Sequence, residues 1–209
     1  MKTNLLFVLT AIILSHSEIT SWSNIYRVPF KHPSHHHPKM PPPKLDTAPQ
    51  SWAELTEIVS TNSLHRLGRS RTDLNIYESY MTTVRAKWHS LADYIAESKF
   101  PGFTHVRTVR NGVEKYSLEP PLSDNGFGEI VSLKKNDFPY HIEENVEHWV
   151  VWVLNRGVTE DDVVDVERQL RTKFGEESQF LSWVNPERLK SVPELSHAHV
   201  FVRKGTSRG

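Results

Sequence analysis

The chain contains no cysteine. Disulfides, a thiolate nucleophile, cysteine-ligated zinc and iron–sulfur clusters are therefore excluded. It also lacks net charge, because 25 Lys and Arg balance 25 Asp and Glu. A chain so balanced has no broad basic face, so no nucleic-acid partner is expected. No Asn-x-Ser/Thr glycosylation site occurs. Gly-x-Gly-x-x-Gly, the Walker A loop and His-Glu-x-x-His are equally missing, which removes the commonest signatures of dinucleotide, nucleotide and zinc-peptidase sites. What is present is globular composition: 37% hydrophobic and 24% charged residues over 209 positions, room for one domain and its tails.

Residues 1–17 stand apart. Lys2 opens them, Leu5 to Leu14 is an apolar run broken by Thr10, and Ser15 and Ser17 follow as small residues. This pattern is that of a signal peptide, and the run is too short for a stable membrane span. Residues 18–50 read as a disordered linker rich in proline and histidine. Pro29, Pro33, Pro38, Pro41–Pro43 and Pro49 fall there, and such spacing favours extended chain over helix or central strand. His32, His35, His36 and His37 either bind a divalent metal weakly or are solvated linker.

The folded body is expected over 51–204, with a short tail at 205–209. Ser51-Trp52-Ala53-Glu54 is a capping box opening a helix to about Asn62. Apolar residues from Tyr77 to Ile95 recur at helical spacing, which predicts one long helix from Thr72 to Ser98, capped by Thr72 or Asp73. Asn111-Gly112 predicts a hairpin between Phe103–Arg110 and Val113–Leu118. Further strands are expected at Phe127–Leu133, Gln179–Val184 and 197–203. Val146–Leu154, nearly all apolar, reads as a buried central strand. Thr159, three acidic residues and a terminal Gly175 frame a helix over Glu160–Phe174. The fold class that results is α+β, a single domain with a mainly antiparallel sheet covered by helices on one face.

Several groups of residues carry chemistry. His197 and His199 alternate along a strand, so both imidazoles share one face and are candidate catalytic residues. The same strand pattern puts Ala198, Val200 and Val202 on the other face. Along Val146–Leu154, His148, Val150 and Trp152 share a face. If His148 lies across from His197 and His199, the three form a candidate site for a divalent metal; the alternative is a core histidine bonded to backbone. Asn136-Asp137-Phe138-Pro139-Tyr140 is either a structural turn or a loop presenting Asp137 and Tyr140 to a ligand. Arg66 and Arg69 precede a helix whose mouth carries Ser70 and Thr72. They are candidate readers of a phosphate or carboxylate, or surface arginines paired with acids. Glu143-Glu144 reads as a surface charge cluster, since neighbours on a strand point apart.

Taken in order, Leu64-His65-Arg66-Leu67-Gly68-Arg69-Ser70, Asn136–Tyr140, Glu147-His148-Trp149 with Trp152, Trp183-Val184-Asn185-Pro186, Ser191-Val192-Pro193 and His197-Ala198-His199-Val200 resemble the fungal N-acetylglucosamine-induced protein family, a domain of unknown function. The resemblance covers about 51–204. It implies a small, mostly intracellular protein without an established reaction; the apparent signal peptide and the linker depart from it. The segment with Asn185, Ser191-Val192, His197 and His199 also looks like a loose form of the histidine-triad nucleotide hydrolases and transferases. Phe201 stands where that family carries a third histidine.

Two classes of function follow. In the first, a small-molecule ligand, phosphorylated if the arginines read its anionic group, binds a pocket lined by Trp149, Trp152 and the histidines, together with Asn185 and Ser191. A histidine-triad-like phosphoester hydrolase or transferase is a variant of it. In the second, the chain is a noncatalytic, secreted interaction protein, with its six tryptophans in core or partner surface. Location is secreted if 1–17 act as a signal, or cytoplasmic as the resemblance implies.

Overall fold

The computed structural model describes residues 44–45, 48–119 and 130–205. The expected signal peptide, the histidine cluster at 32–37 and most of the linker and tail lie outside them. So does the start of the strand expected at Phe127.

The centre is a four-stranded antiparallel sheet in the order β5-β6-β8-β7. Its strands are β5 (Ile130–Lys135), β6 (Val146–Leu154), β7 (Gln179–Trp183) and β8 (Ser196–Arg203). β6 and β8 are the inner pair and are buried on both faces, which is why β6 reads as a nearly continuous apolar run. The alternation along β8 is as expected, but this strand is central rather than an edge.

Helices cover both faces of the sheet, not one. On the first face α4 (Glu160–Phe174) lays Val163, Val166 and Leu170 against Trp149, Val151, Ala198, Val200 and Val202. On the second face α1 (Trp52–Ser60) packs Leu55, Ile58 and Val59 against Leu181, Trp183 and Phe201. Beside it α3 (Leu91–Lys99) packs Ala92 and Ala96 near Val150, Trp152 and Leu154. The face of β6 that carries His148 is thus also interior. Each fully buried valine or leucine here stabilises the fold by about 1.5–3 kcal/mol relative to exposure.

α1 carries the expected capping box at Ser51 and Glu54. Glu143 adds a further acceptor, its Oε1 lying 3.0 Å from the Trp52 amide, so this glutamate is an end cap rather than a free surface charge. The long helix expected from Thr72 to Ser98 is two helices, α2 (Arg71–Lys87) and α3. The chain turns extended at Trp88. There it bridges Tyr116, and the His89 amide donates to the Tyr116 carbonyl at 3.0 Å. Ser90 then caps α3 by accepting from the Asp93 amide. The helical period ran through this break because Trp88 is buried at the end of one helix and Leu91 starts the next in phase. α2 itself is capped by Ser70, not by Thr72 or Asp73.

Strands β3 (Thr104–Arg110) and β4 (Val113–Glu119) form a separate antiparallel hairpin. Asn111 and Gly112 both have positive φ, at 52° and 77°, as the tight two-residue turn requires. A two-residue strand β1 (Lys44–Leu45) pairs in parallel with β2 (Arg69–Ser70). The ordered body therefore starts inside the segment expected to be linker. Extended chain following three prolines is already shaped for such a bridge.

Candidate functional site

The pairing of β6 with β8 sets Trp152 opposite His197, Val150 opposite His199 and His148 opposite Phe201. With side chains alternating, His148, Trp152, His197 and His199 all project to the second face. β7 ends at Trp183, which brings Asn185 beside them. The loop after β5 returns over the same place: the Asn136 amide donates to the His148 carbonyl at 2.8 Å, and Asn136 Oδ1 accepts from the Phe138 amide at 3.0 Å. This loop is a structural turn and also a wall of the site.

The polar groups form one chain. Trp183 Nε1 donates to Asn185 Oδ1 at 3.0 Å, which fixes the amide with its nitrogen 3.0 Å from His199 Nε2. That nitrogen only donates, so His199 accepts at Nε2 and keeps its hydrogen on Nδ1. Nδ1 in turn lies 2.9 Å from His148 Nε2. At the far side the Tyr140 amide approaches His148 Nδ1 at 3.4 Å. Each end of the imidazole pair faces an N–H group, so neither outer ring nitrogen has a protein acceptor for a hydrogen. Aromatic rings enclose the pair: Tyr140 stacks on His148 at 4.9 Å and Trp183 on His199 at 5.2 Å.

Burial sets the charge state. It pushes His148 down to about 3, helped by the Arg69 guanidinium. His199 is held well below the ordinary histidine value, again by burial and then by its two histidine neighbours and Arg69. His197 is lowered by burial and by Lys190, against the Leu195 carbonyl and Glu187. Tyr140 is raised by burial. The floor is therefore neutral and rich in lone pairs and ring faces.

Above it lies a cavity of about 510 Å³. α2, α3, the 136–140 loop and the turn around Lys190 wall it. Of the residues singled out in the sequence, Arg69, Asn136, Asp137, Tyr140, Trp152, Asn185, Ser191, His197 and His199 line it. His148 stands behind His199. Arg66 is elsewhere, paired with Glu57 at 2.9 Å on the surface. The anion site expected at the mouth of α2 does not form. There Ser70 Oγ already accepts from the Asp73 amide and lies 2.6 Å from the Asp73 carboxylate. Trp149, expected in the pocket, projects to the opposite face against Phe174. Among the described residues no group of three or more His, Asp or Glu is arranged to hold a metal ion. His148, His197 and His199 thus do not form the expected ligand set, since the first two nitrogens that would meet a metal are bonded to each other across the His148–His199 contact.

Apart from Arg69, the sequence missed the cations. Arg69, Arg85, Lys99, Lys135, Arg188 and Lys190 line the cavity against Glu78 and Asp137. Lys99 is bonded to Asp137 at 2.5 Å and Lys190 to Glu187 at 2.5 Å. Arg69 donates Nε to the Phe138 carbonyl at 3.1 Å and lies 4.1 Å over Tyr77, which holds its guanidinium flat against the wall. These cations come from five separate stretches, so no spacing announced them as a group. Tyr77, Tyr80 and Tyr94 also line the wall, although helical spacing places them with the core; tyrosines in an apolar stripe were the available signal.

A family model described as "Protein of unknown function (DUF3605)" matches residues 51–203. The chain belongs to this family. One DUF3605 relative is the N-acetylglucosamine-induced protein 1 of Candida albicans, 23% identical over 178 residues, with 74% of this chain and 68% of that protein covered. Another is the uncharacterized protein YPL067C of Saccharomyces cerevisiae, 25% identical over 170 residues, covering 72% of this chain and 77% of that one. The crystal structure of HTC1 is similar at a TM-score of 0.46 and 19% identity, over 76% of this chain and 88% of that chain.

Proposed function

We propose that this DUF3605 protein binds a small, phosphorylated ligand in the cavity over β6 and β8. The observation that carries the reading is the charge of the lining, six Arg or Lys against two acids, in a chain of zero net charge. Surplus cations gathered around a concave, aromatic-walled space attract an anion and hold it by charge-assisted hydrogen bonds. Arg69, Lys99 and Lys190 are the groups that would take the phosphate, with Trp152, Tyr140 and the histidines against the rest of the molecule.

Thermal melting of the full chain with millimolar inorganic phosphate, sugar phosphates and nucleotides tests this. A ligand at a hundred times its Kd stabilises by about 2.7 kcal/mol. The expected outcome is a concentration-dependent rise in Tm that Arg69→Gln and Lys190→Gln weaken. No rise with any phosphate would end the reading. The interaction-protein alternative is less favoured, because Trp88, Trp149, Trp152 and Trp183 are all buried. The exposed apolar side chains are spread over α2, the β3–β4 hairpin and β5 rather than gathered on one element.

Residues 1–17 support a separate proposal, that the protein is secreted. The support is the sequence pattern of a short basic start, an apolar run and small residues.

A further inference from the structure

His197 differs from the two histidines beside it. Its Nδ1 lies 2.8 Å from the Leu195 carbonyl oxygen. A carbonyl only accepts, so Nδ1 carries the ring hydrogen and Nε2 carries the lone pair. Nε2 has no hydrogen-bond partner among the described residues. It is also not sealed, because Gln50 Oε1 is the one fully covered, unpartnered side-chain nitrogen or oxygen found among them. His197 lines the cavity, so that lone pair opens onto it.

The ring cannot turn to offer something else. Trp152 lies against it at 4.7 Å and His199 meets it edge to face at 5.4 Å. Burial and the Lys190 ammonium both disfavour protonation. The floor therefore presents a fixed hydrogen-bond acceptor. A phosphate dianion is itself all acceptor and would be repelled there, so it belongs with the cations at the wall. The group that meets His197 must bring a hydrogen of its own.

We propose that His197 is the specificity determinant of the cavity, and that the ligand is a phosphomonoester whose carbon skeleton carries a hydroxyl donating to His197 Nε2. This rests on the anionic-ligand reading above and adds to it what the non-phosphate part of the ligand must be. Sugar phosphates and ribonucleotides share that chemistry. A site built around a buried acceptor rejects an analogue that lacks the donor, because the acceptor is then left dry and unpaired.

The test uses the full chain and two matched pairs of probes, by calorimetry and thermal shift. Glucose 6-phosphate is set against cyclohexylmethyl phosphate, which has no ring hydroxyl. Uridine 5′-monophosphate is set against its 2′,3′-dideoxy form. The expected result is that one hydroxylated probe binds about tenfold or more tightly than its stripped partner, and which pair responds tells a sugar from a nucleotide. In His197→Asn, whose amide N–H keeps the bond to Leu195 but which lacks Nε2, the preference disappears while the stripped probe binds as before. Equal binding within both pairs overturns the inference and leaves the anionic-ligand reading standing. A preference that survives in His197→Asn overturns it as well. If inorganic phosphate and all four probes fail to bind, the anionic reading itself falls, and this inference with it.

Discussion

His148, His197 and His199 each hold their pKa below the free-histidine value inside the fold, whereas in the unfolded chain they take up protons near pH 6.5. The unfolded state then binds more protons, so stability falls as pH drops below that value. The stabilisation is fully present above the unfolded pKa and is lost on the way down to the folded ones, about 3 for His148. Below the unfolded value His148 contributes a limiting slope of about 1.4 kcal/mol per pH unit, and His197 and His199 add to it in the same direction. Urea unfolding between pH 7.5 and 5 is expected to show a steep loss of stability, and His148→Gln to remove one proton from the slope. A midpoint that stays level over this range would mean that the imidazoles already carry charge in the fold.

At the level of elements, the caps decide where helices begin. Ser90 starts α3 and so directs Lys99 and Tyr94 towards the cavity. Ser90→Ala is expected to cost about 1 kcal/mol and to weaken phosphate binding as the first turn of α3 frays; unchanged Tm and affinity would show that packing alone places the helix. β6, α4 and the hairpin turn were legible in the sequence because each carries its own local signal: an apolar run, a capping Thr159 before three acidic residues, and Asn-Gly. The alternation of His197 and His199 was legible for the same reason, since the period of a strand needs no partner to be read. The break between α2 and α3 was not, because two amphipathic helices in phase look like one. Nor was the second helical layer, whose partners for Phe201 and Trp183 lie more than a hundred residues away on α1. Asn185 was named, but its bond to His199 was not legible, because it needs Trp183 to orient the amide and β7 to pair with β8.

For the whole molecule, no helix among the described residues is long and apolar enough to cross a membrane. The described body begins at Lys44, so cleavage after residue 17 would leave every element of it intact. The secretion proposal therefore predicts mature protein in the medium that starts near Glu18 and melts at the same temperature as the full chain. N-terminal sequencing of expressed protein checks this, and an intact chain retained in the cell would refute it.

β8 has one further consequence. Two of its odd positions, His197 and His199, line the floor of the cavity, while Ala198, Val200 and Val202 beside them are wholly buried beneath α4. Selectivity at His197 and the integrity of the core are thus written on the same eight residues. Variation that changes what the cavity accepts meets a different tolerance on its two sides. On the floor an exchange also touches the core, whereas at the exposed positions of α2 it is read out as altered preference. A library selected for new ligands would accordingly draw its survivors from the walls and leave the floor untouched.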